Sequence, residues 1–259
     1  MENRVSSYRR FANILAFIVV VIVNAVAGGT STIGGRNTAQ VSNAYPTLIT
    51  PAGYVFSIWG IIYFLLGVFV VYQALPSQQG KSFQSKIGWL FVLISSVNVV
   101  WLFLWQFEFL IFSVFVMFLL LASLIGIYVR VGIGKIDAPA REKLAVHVPF
   151  SVYLGWITVA SIANVATTLV SLNWGGFGLS AQTWATLIVI LVLIITTLVI
   201  VTRRDIAYTL VIIWALVGIG INQSSNQAVF YLTEISALIV AVLLVAWIFV
   251  ARLRKNRKR

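Results

Sequence analysis

Eight long runs of apolar residues follow one another along the chain, separated by short polar segments. Each run is about 20 residues long, the length that a helix needs to cross a hydrocarbon core about 30 Å thick. The pattern therefore predicts an all-α fold, a polytopic helical membrane bundle of about eight transmembrane helices. The predicted spans are 11–27, 54–75, 87–106, 109–129, 146–170, 183–202, 206–222 and 230–251.

Composition strengthens this prediction and excludes several kinds of chemistry. Of the 259 residues, 61% are hydrophobic and 9% are charged, and a soluble domain of this length could not bury so much apolar surface. The chain has no cysteine and a single histidine, so disulfides, thiolate metal sites and bis-histidine metal sites are excluded. We predict no metal site, no required cofactor and no catalytic residue.

The basic residues lie in alternate loops. Of the 18 lysines and arginines, only Arg36 falls in a segment of the opposite set. The positive-inside rule then predicts that both termini are cytoplasmic and that the chain is a multi-pass protein of the cytoplasmic membrane. The net charge of +12 is thus a topology signal, and no nucleic-acid partner is expected. The basic tail 252–259 fits a plain anchor for the last helix, with an anionic-lipid or nucleic-acid patch as the alternative.

The first span leaves one alternative open. Arg9 and Arg10, the apolar run and the Ala25-Val26-Ala27 segment have the order of a secretory signal with its cleavage site. The run is longer than the usual signal core of roughly 7–15 residues, which favours an uncleaved first helix. Cleavage would leave seven helices and an external amino terminus.

Three spans carry aromatic and amide side chains on one helical face. These residues recur at intervals of three, four, seven, eight or eleven positions, which places them above one another on a helix. We expect the three faces to meet in a common interior. The residues are Trp59, Tyr63 and Gly67 in the second span, Asn98, Trp101 and Trp105 in the third, and Tyr153, Trp156, Ala160 and Asn164 in the fifth.

The two amides, Asn98 and Asn164, have two interpretations because a polar group in hydrocarbon must find a partner. In the first, they join helices by hydrogen bonds, each worth about 1 kcal/mol. In the second, the amides and the indole N–H groups fix the polar edge of a flat ligand that the rings sandwich. The tryptophans at span ends are predicted to be interfacial anchors; they are Trp174, Trp184 and Trp247.

Residues outside these stripes are assigned plainer roles. Loop 28–53 is the longest predicted external loop and is expected to form a lid. Glu108, in the short turn after the third span, is predicted to be solvated, and Glu234 is predicted to reach the outer interface, with ion binding as the alternative. His147 is expected at the cytoplasmic interface, with axial haem ligation as the alternative. The helix glycines 60, 67 and 218 are expected to allow close packing.

The three stripes resemble the signature of the tryptophan-rich sensory protein family, also called the translocator protein family. The segment 51–67 is similar to the family's second helix and keeps its Trp-x3-Tyr-x3-Gly spacing. The motif Asn98-x2-Trp101 resembles the third-helix signature. The motif Tyr153-x2-Trp156-x3-Ala160-x3-Asn164 resembles the fifth-helix signature.

The resemblance implies a five-helix bundle over residues 1–173, with residues 174–259 adding three transmembrane helices and the basic tail. It also implies a pocket between helices that takes porphyrins, haem-like molecules and other flat hydrophobic ligands, commonly in a homodimer. The residues that would line or support the pocket are Trp59, Tyr63, Asn98, Trp101, Trp105, Tyr153, Trp156 and Asn164.

The leading hypothesis is therefore a membrane binding protein or sensor for a tetrapyrrole-like or other flat hydrophobic small molecule, which enters from the outer-leaflet side beneath loop 28–53. A transporter of such a metabolite is the alternative. An enzyme that degrades bound porphyrin ranks last, because no general base or metal is predicted. The other expected partner is membrane lipid.

Overall fold

The computed structural model describes the backbone of residues 2–256 and the side chains of residues 8–250 and 253. Within that part of the chain the fold is all-helical, as predicted. The predictions that concern Arg4 and the basic side chains of the tail 252–259 lie outside the described residues. The eight long helices are α1 Glu2–Gly29, α2 Ile58–Ala74, α3 Leu90–Gln106, α4 Leu110–Val131, α5 Val148–Ser171, α6 Ala181–Arg203, α7 Ile206–Asn222 and α8 Gln227–Asn256.

Each predicted span coincides with one of these helices. Helix α1 begins about two turns before its apolar run, and α3 begins at Leu90 because Gly88 turns the chain with a positive φ of 53°. Among the described residues, six helical stretches of at least 22 residues are long and apolar enough to cross a membrane. Helices α3 and α7 have 17 residues each, near the lower limit of about 17 for a span. That all eight cross the bilayer stays a prediction.

Local sequence signals set several helix ends. The Ser180 hydroxyl accepts from the Thr183 N–H at 3.1 Å and begins α6. Arg204 ends α6 in the left-handed conformation, with a φ of 61°, and the Asp205 carboxylate then begins α7 by accepting from the Tyr208 N–H at 3.1 Å. Two consecutive residues therefore turn the chain between antiparallel helices.

Five helices form a closed ring. Helix α1 packs on α2 and α3, α2 packs on α5, α5 packs on α4, and α4 returns to α3. Helix α5 is largely enclosed. In the stretch 140–171, which contains α5, 78% of the most apolar 18-residue segment is buried, compared with 17% of the most apolar segment of α1. The side chains that α2, α3 and α5 direct toward one another consequently fill the interior of this ring.

The last three helices attach to the ring through α7, which packs on α5 and carries α8 and α6 on its other sides. At one end of this contact, the buried Asp205 carboxylate accepts from Tyr128 Oη on α4 at 2.8 Å and from Ser151 Oγ on α5 at 2.6 Å. Gly155 allows close approach, because a Cβ there would lie 3.1 Å from the Tyr208 carbonyl oxygen. The division of the chain at residue 173 stays a prediction.

Antiparallel succession places the loops at two ends of the bundle. We call the end with loop 28–53 the lid end and the other the basic end. The ring of Trp174 lies 5.1 Å from that of Trp184 at the lid end, and the Arg204 guanidinium lies 5.6 Å from the Trp247 ring at the basic end. Both ends therefore carry tryptophans, the arrangement expected of interfacial anchors.

The charge asymmetry between the two ends predicts the orientation in the membrane. In this cysteine-free chain we expect Ser85→Cys, at the basic end, to be shielded from a membrane-impermeant maleimide in intact cells. We expect Ser224→Cys, at the lid end, to react. Both serines are exposed. Equal labelling of the two variants before lysis would contradict this topology.

The Asp205 junction predicts a stability effect. Asp205→Ala should lower the free energy of unfolding by about 3 kcal/mol, because two buried hydroxyls and one N–H lose their acceptor. Thermal unfolding in detergent, followed by tryptophan fluorescence, would measure the change. Asp137→Ala is the matched control, since Asp137 is 95% exposed and its ion pair with Lys143 lies at the surface. A melting temperature equal to that of the control would refute the junction's role.

Candidate ligand site

Trp59 lies at the centre of an aromatic cluster inside the ring. Its indole stacks on Tyr63 of the same helix, with 5.7 Å between ring centroids, and on Trp101 of α3 at 6.1 Å. The rings of Tyr153 and Trp156, both on α5, meet it edge-on at 6.0 and 6.2 Å. Helices α2 and α3 are not neighbours in the ring, so the contact between Trp59 and Trp101 crosses the interior.

The cluster continues toward the lid end through Trp101. Its ring stacks on Trp105 at 5.7 Å, and its Nε1 donates to Asn164 Oδ1 at 2.8 Å. The Asn164 amide then donates from Nδ2 to Ser113 Oγ on α4 at 2.8 Å. Both ends of this amide are occupied, so the geometry favours its role as a link between α3, α4 and α5.

Asn98 joins three helices by its oxygen alone. Its Oδ1 accepts from Asn24 Nδ2 on α1 at 2.8 Å and from Tyr63 Oη on α2 at 3.3 Å. Asn24 is a residue that our sequence analysis missed. The signal was present, since Asn24 is an amide inside the first span, and such a residue needs a partner in hydrocarbon.

Two buried donors in this region have no hydrogen-bond partner among the described residues. They are Asn98 Nδ2 and Trp156 Nε1, and their side chains are 0% and 2% exposed. A donor left without an acceptor in an apolar environment costs about 1–3 kcal/mol. The two unmatched donors lie on α3 and α5, next to the stacked pair of Tyr63 and Trp59. An acceptor supplied by a ligand would remove this cost.

The structure thus brings all eight predicted site residues into one contiguous network. Six of them are buried, whereas Trp59 and Tyr63 are partly exposed. The rings touch one another, so a flat ligand must displace at least one of them.

Loop 28–53 covers the lid end, and its conformation is more ordered than a loop prediction suggests. Residues Thr38–Ala44 form a short helix, begun by a capping box in which Asn37 and Gln40 exchange hydrogen bonds at 2.8 and 2.9 Å. Trp105 Nε1 donates to the Thr38 carbonyl at 3.1 Å. One member of the aromatic cluster therefore holds the lid directly.

Glu108 is a tie for the lid and is not simply solvated. Its Oε1 accepts from Arg36 Nη1 at 2.9 Å, and its Oε2 accepts from Tyr45 Oη at 2.5 Å. This hydrogen bond to Glu108 raises the pKa of Tyr45 above its ordinary value, with burial as the lesser cause. The phenol consequently stays protonated at neutral pH and continues to donate.

Other predictions have mixed outcomes. Gly67 and Gly218 are close-packing positions, since an added Cβ would lie 3.2 Å from Phe17 and 2.1 Å from Val55, whereas Gly60 has open space beside it. His147 lies at the basic end but is buried. The Glu234 carboxylate lies against Gly220 at the lid end, where an added Cβ would be 2.4 Å from its Oε1.

The fold and this site define a class, a helical membrane protein whose interior is an aromatic cluster edged by amides. The family model described as TSPO-like protein matches residues 10–250, nearly the whole chain and all eight long helices. The chain belongs to this TSPO-like family. Neither the curated proteins nor the solved structures gave a match.

The contacts of Asn164 predict that it acts on stability more than on ligand binding. Asn164→Ala leaves Trp101 Nε1 without an acceptor and removes a donor from Ser113, so we expect a loss of about 2 kcal/mol in the free energy of unfolding. Thermal unfolding measures it, with Thr202→Ala at the exposed basic end of α6 as a control. Unchanged stability would contradict the linking role.

Proposed function

We propose that the chain binds a flat, largely apolar ligand of the tetrapyrrole class inside the five-helix ring, as a binding protein or sensor of the cytoplasmic membrane. The family match supports ligand binding or transport at a membrane. The aromatic cluster supplies the stacking surfaces, and the surrounding amides supply polar contacts. The eight site residues and the homodimer expected from the resemblance are part of this proposal.

The observation that carries the proposal is the pair of unmatched donors, Asn98 Nδ2 and Trp156 Nε1. Water is absent from a hydrocarbon core, so a buried donor there needs a partner from the protein or from a ligand. Carbonyl or carboxylate oxygens at the edge of a planar molecule fit such donors. A purely apolar ligand would leave them unmatched, and we therefore propose a flat ligand with acceptor atoms on its rim.

Binding requires the rings to separate, and Trp59 is the ring that must move. It contacts four other rings, from α2, α3 and α5, and it is partly exposed. A ligand placed between Trp59 and Trp101 would replace ring contacts with ligand contacts. This exchange keeps the interior filled in both states, as close packing demands.

Transport of the same ligand is the second candidate, and one observation favours it. Asn13 Nδ2 donates to Gln73 Oε1 at 2.9 Å between α1 and α2, near the basic end. Both side chains are buried, and the remaining Asn13 Oδ1 and Gln73 Nε2 have no partner within the described part of the chain. These two unpartnered atoms would give a transported ligand a second set of polar contacts at the opposite end of the ring. Ligand flux into proteoliposomes would test this.

Binding is tested by titrating the purified, detergent-solubilised protein with protoporphyrin while following tryptophan fluorescence. We expect saturable quenching in the wild type. Trp156→Phe keeps a ring but loses the unmatched N–H, and Asn98→Ala loses the second donor. Each variant should bind up to about tenfold more weakly, the worth of one hydrogen bond.

The controls are matched in chemistry. Trp184→Phe also removes one indole, but that N–H already donates to the Gly176 carbonyl at 2.9 Å, far from the cluster along the chain. Asn13→Ala removes a buried amide near the other end. Affinities in these controls should equal that of the wild type. Absent quenching, or equal loss in all four variants, would refute the proposed site.

A further inference from the structure

Two parts of the lid are held by different elements of the bundle. In the structure the segment between α1 and α2 is residues 30–57, and from here on we call residues 30–46 the first half of the lid and residues 47–57 the second half. The first half contacts α3 and the turn after it, and the second half contacts the three carboxyl-terminal helices. These two supports belong to different parts of the bundle, so the halves need not move together.

Four hydrogen bonds, spread over residues 47–55, join the second half of the lid to α7 and the residue after it. One contact is between backbones, which a side-chain change in the lid could not remove. The other three are side-chain donors that reach lid carbonyls, two of them on α7 and the third on Gln223, the residue directly after it. The bonds run from Ala52 N to Gly218 O at 3.0 Å, from Asn222 Nδ2 to Thr50 O at 3.0 Å, from Gln223 Nε2 to Thr47 O at 3.2 Å and from Trp214 Nε1 to Val55 O at 3.3 Å.

Apolar packing reinforces these bonds. Ile49 is 5% exposed and packs in one cluster with Ala185 of α6 and Val229 of α8. Gly218 lets the lid approach α7 closely, since a Cβ at this position would lie 2.1 Å from Val55 Cγ2. All three carboxyl-terminal helices therefore contribute to holding the second half.

The first half has weaker polar ties. The Arg36–Glu108 ion pair has side chains that are 49% and 32% exposed, and exposed pairs contribute little stability. The bond from Tyr45 to Glu108 is only partly buried, while the bond from Trp105 to the Thr38 carbonyl is buried. The Glu108 carboxylate thus accepts both of the less buried bonds of this half, from Arg36 and from Tyr45, and we call these two bonds the outer ties.

We propose that α7 is a positioning element that fixes the second half of the lid, and that the first half, latched by Glu108, is the entrance to the site. This gives the three carboxyl-terminal helices a role in shaping the ligand site. Because α2 begins directly after the second half and Trp59 is its second residue, α7 also holds the start of α2 in place. The entrance assignment rests on the proposed function, whereas the division of the lid does not.

Hydrogen–deuterium exchange of the full chain in nanodiscs tests the division without any ligand. The latch variant Arg36→Gln/Tyr45→Phe removes both outer ties and leaves Glu108 unchanged. We expect exchange in 30–46 to rise up to about fivefold, the effect of losing weak surface pairs. Exchange in 47–57 should stay at the wild-type rate.

A second double variant, Asn222→Ala/Gln223→Ala, removes two side-chain bonds to the second half, and we call it the anchor variant. Its exchange rate should rise in 47–57 and stay at the wild-type value in 30–46. Gly218→Ala is a second anchor variant, and Gly126→Ala is its control, because a Cβ there has an ordinary 3.8 Å contact with Leu90. If either variant speeds exchange in both halves equally, or neither changes any segment, the division is wrong.

Stopped-flow quenching by protoporphyrin tests the entrance. The latch variant should raise the association rate constant up to about fivefold, and the anchor variant should not raise it. Acceleration in the anchor variant alone, or no change in the latch variant, would overturn the assignment. If the wild type shows no quenching, the proposed function and the entrance both fail, while the exchange result still decides the division of the lid.

Discussion

The interior of this bundle is organised by one constraint, the absence of water as a hydrogen-bond partner in hydrocarbon. Every amide and indole buried in the ring must find a partner on another helix, and those partners determine which helices can be neighbours. Trp101 and Asn164 meet this requirement for α3 and α5, and Asn24 and Asn98 meet it for α1 and α3. The requirement is unmet at five buried polar atoms among the described residues, and two of them, Trp156 Nε1 and Asn98 Nδ2, lie in the aromatic cluster and are the candidate ligand contacts.

The same constraint explains why the last three helices are part of the site's architecture. Asp205 needs donors at the basic end and obtains them from α4 and α5, which fixes α7 against the ring. At the lid end, Asn222 of α7 and the next residue, Gln223, donate to backbone carbonyls of the lid. Helix α7 therefore connects α4 and α5 of the ring to the lid. The family match over residues 10–250 includes α7.

The helices and the common aromatic interior could be predicted from sequence, because apolar run length and residue spacing alone decide them. The hydrogen-bond partner of each amide could not be predicted, since it depends on how each helix is rotated about its axis. For this reason the sequence did not distinguish Asn164, whose oxygen and nitrogen are both bonded, from Asn98, whose nitrogen has no partner. The lid ties between Arg36 and Glu108 join residues 72 positions apart, and no local pattern links them. Three signals were available and missed: the amide Asn24 inside the first span, the capping pair Asn37 and Gln40, and the capping position of Asp205 before an apolar run.

Trp156 Nε1 has no acceptor among the described residues, and we propose that the bound ligand supplies one. The most direct measurement is the indole N–H spectrum of the nine tryptophans by ¹⁵N NMR, with and without protoporphyrin, assigned by single Trp→Phe variants. We expect the Trp156 resonance to move downfield on binding, while that of Trp184, which already donates to the Gly176 carbonyl, keeps its position. A Trp156 resonance that stays in place at saturating ligand would rule out this ligand contact.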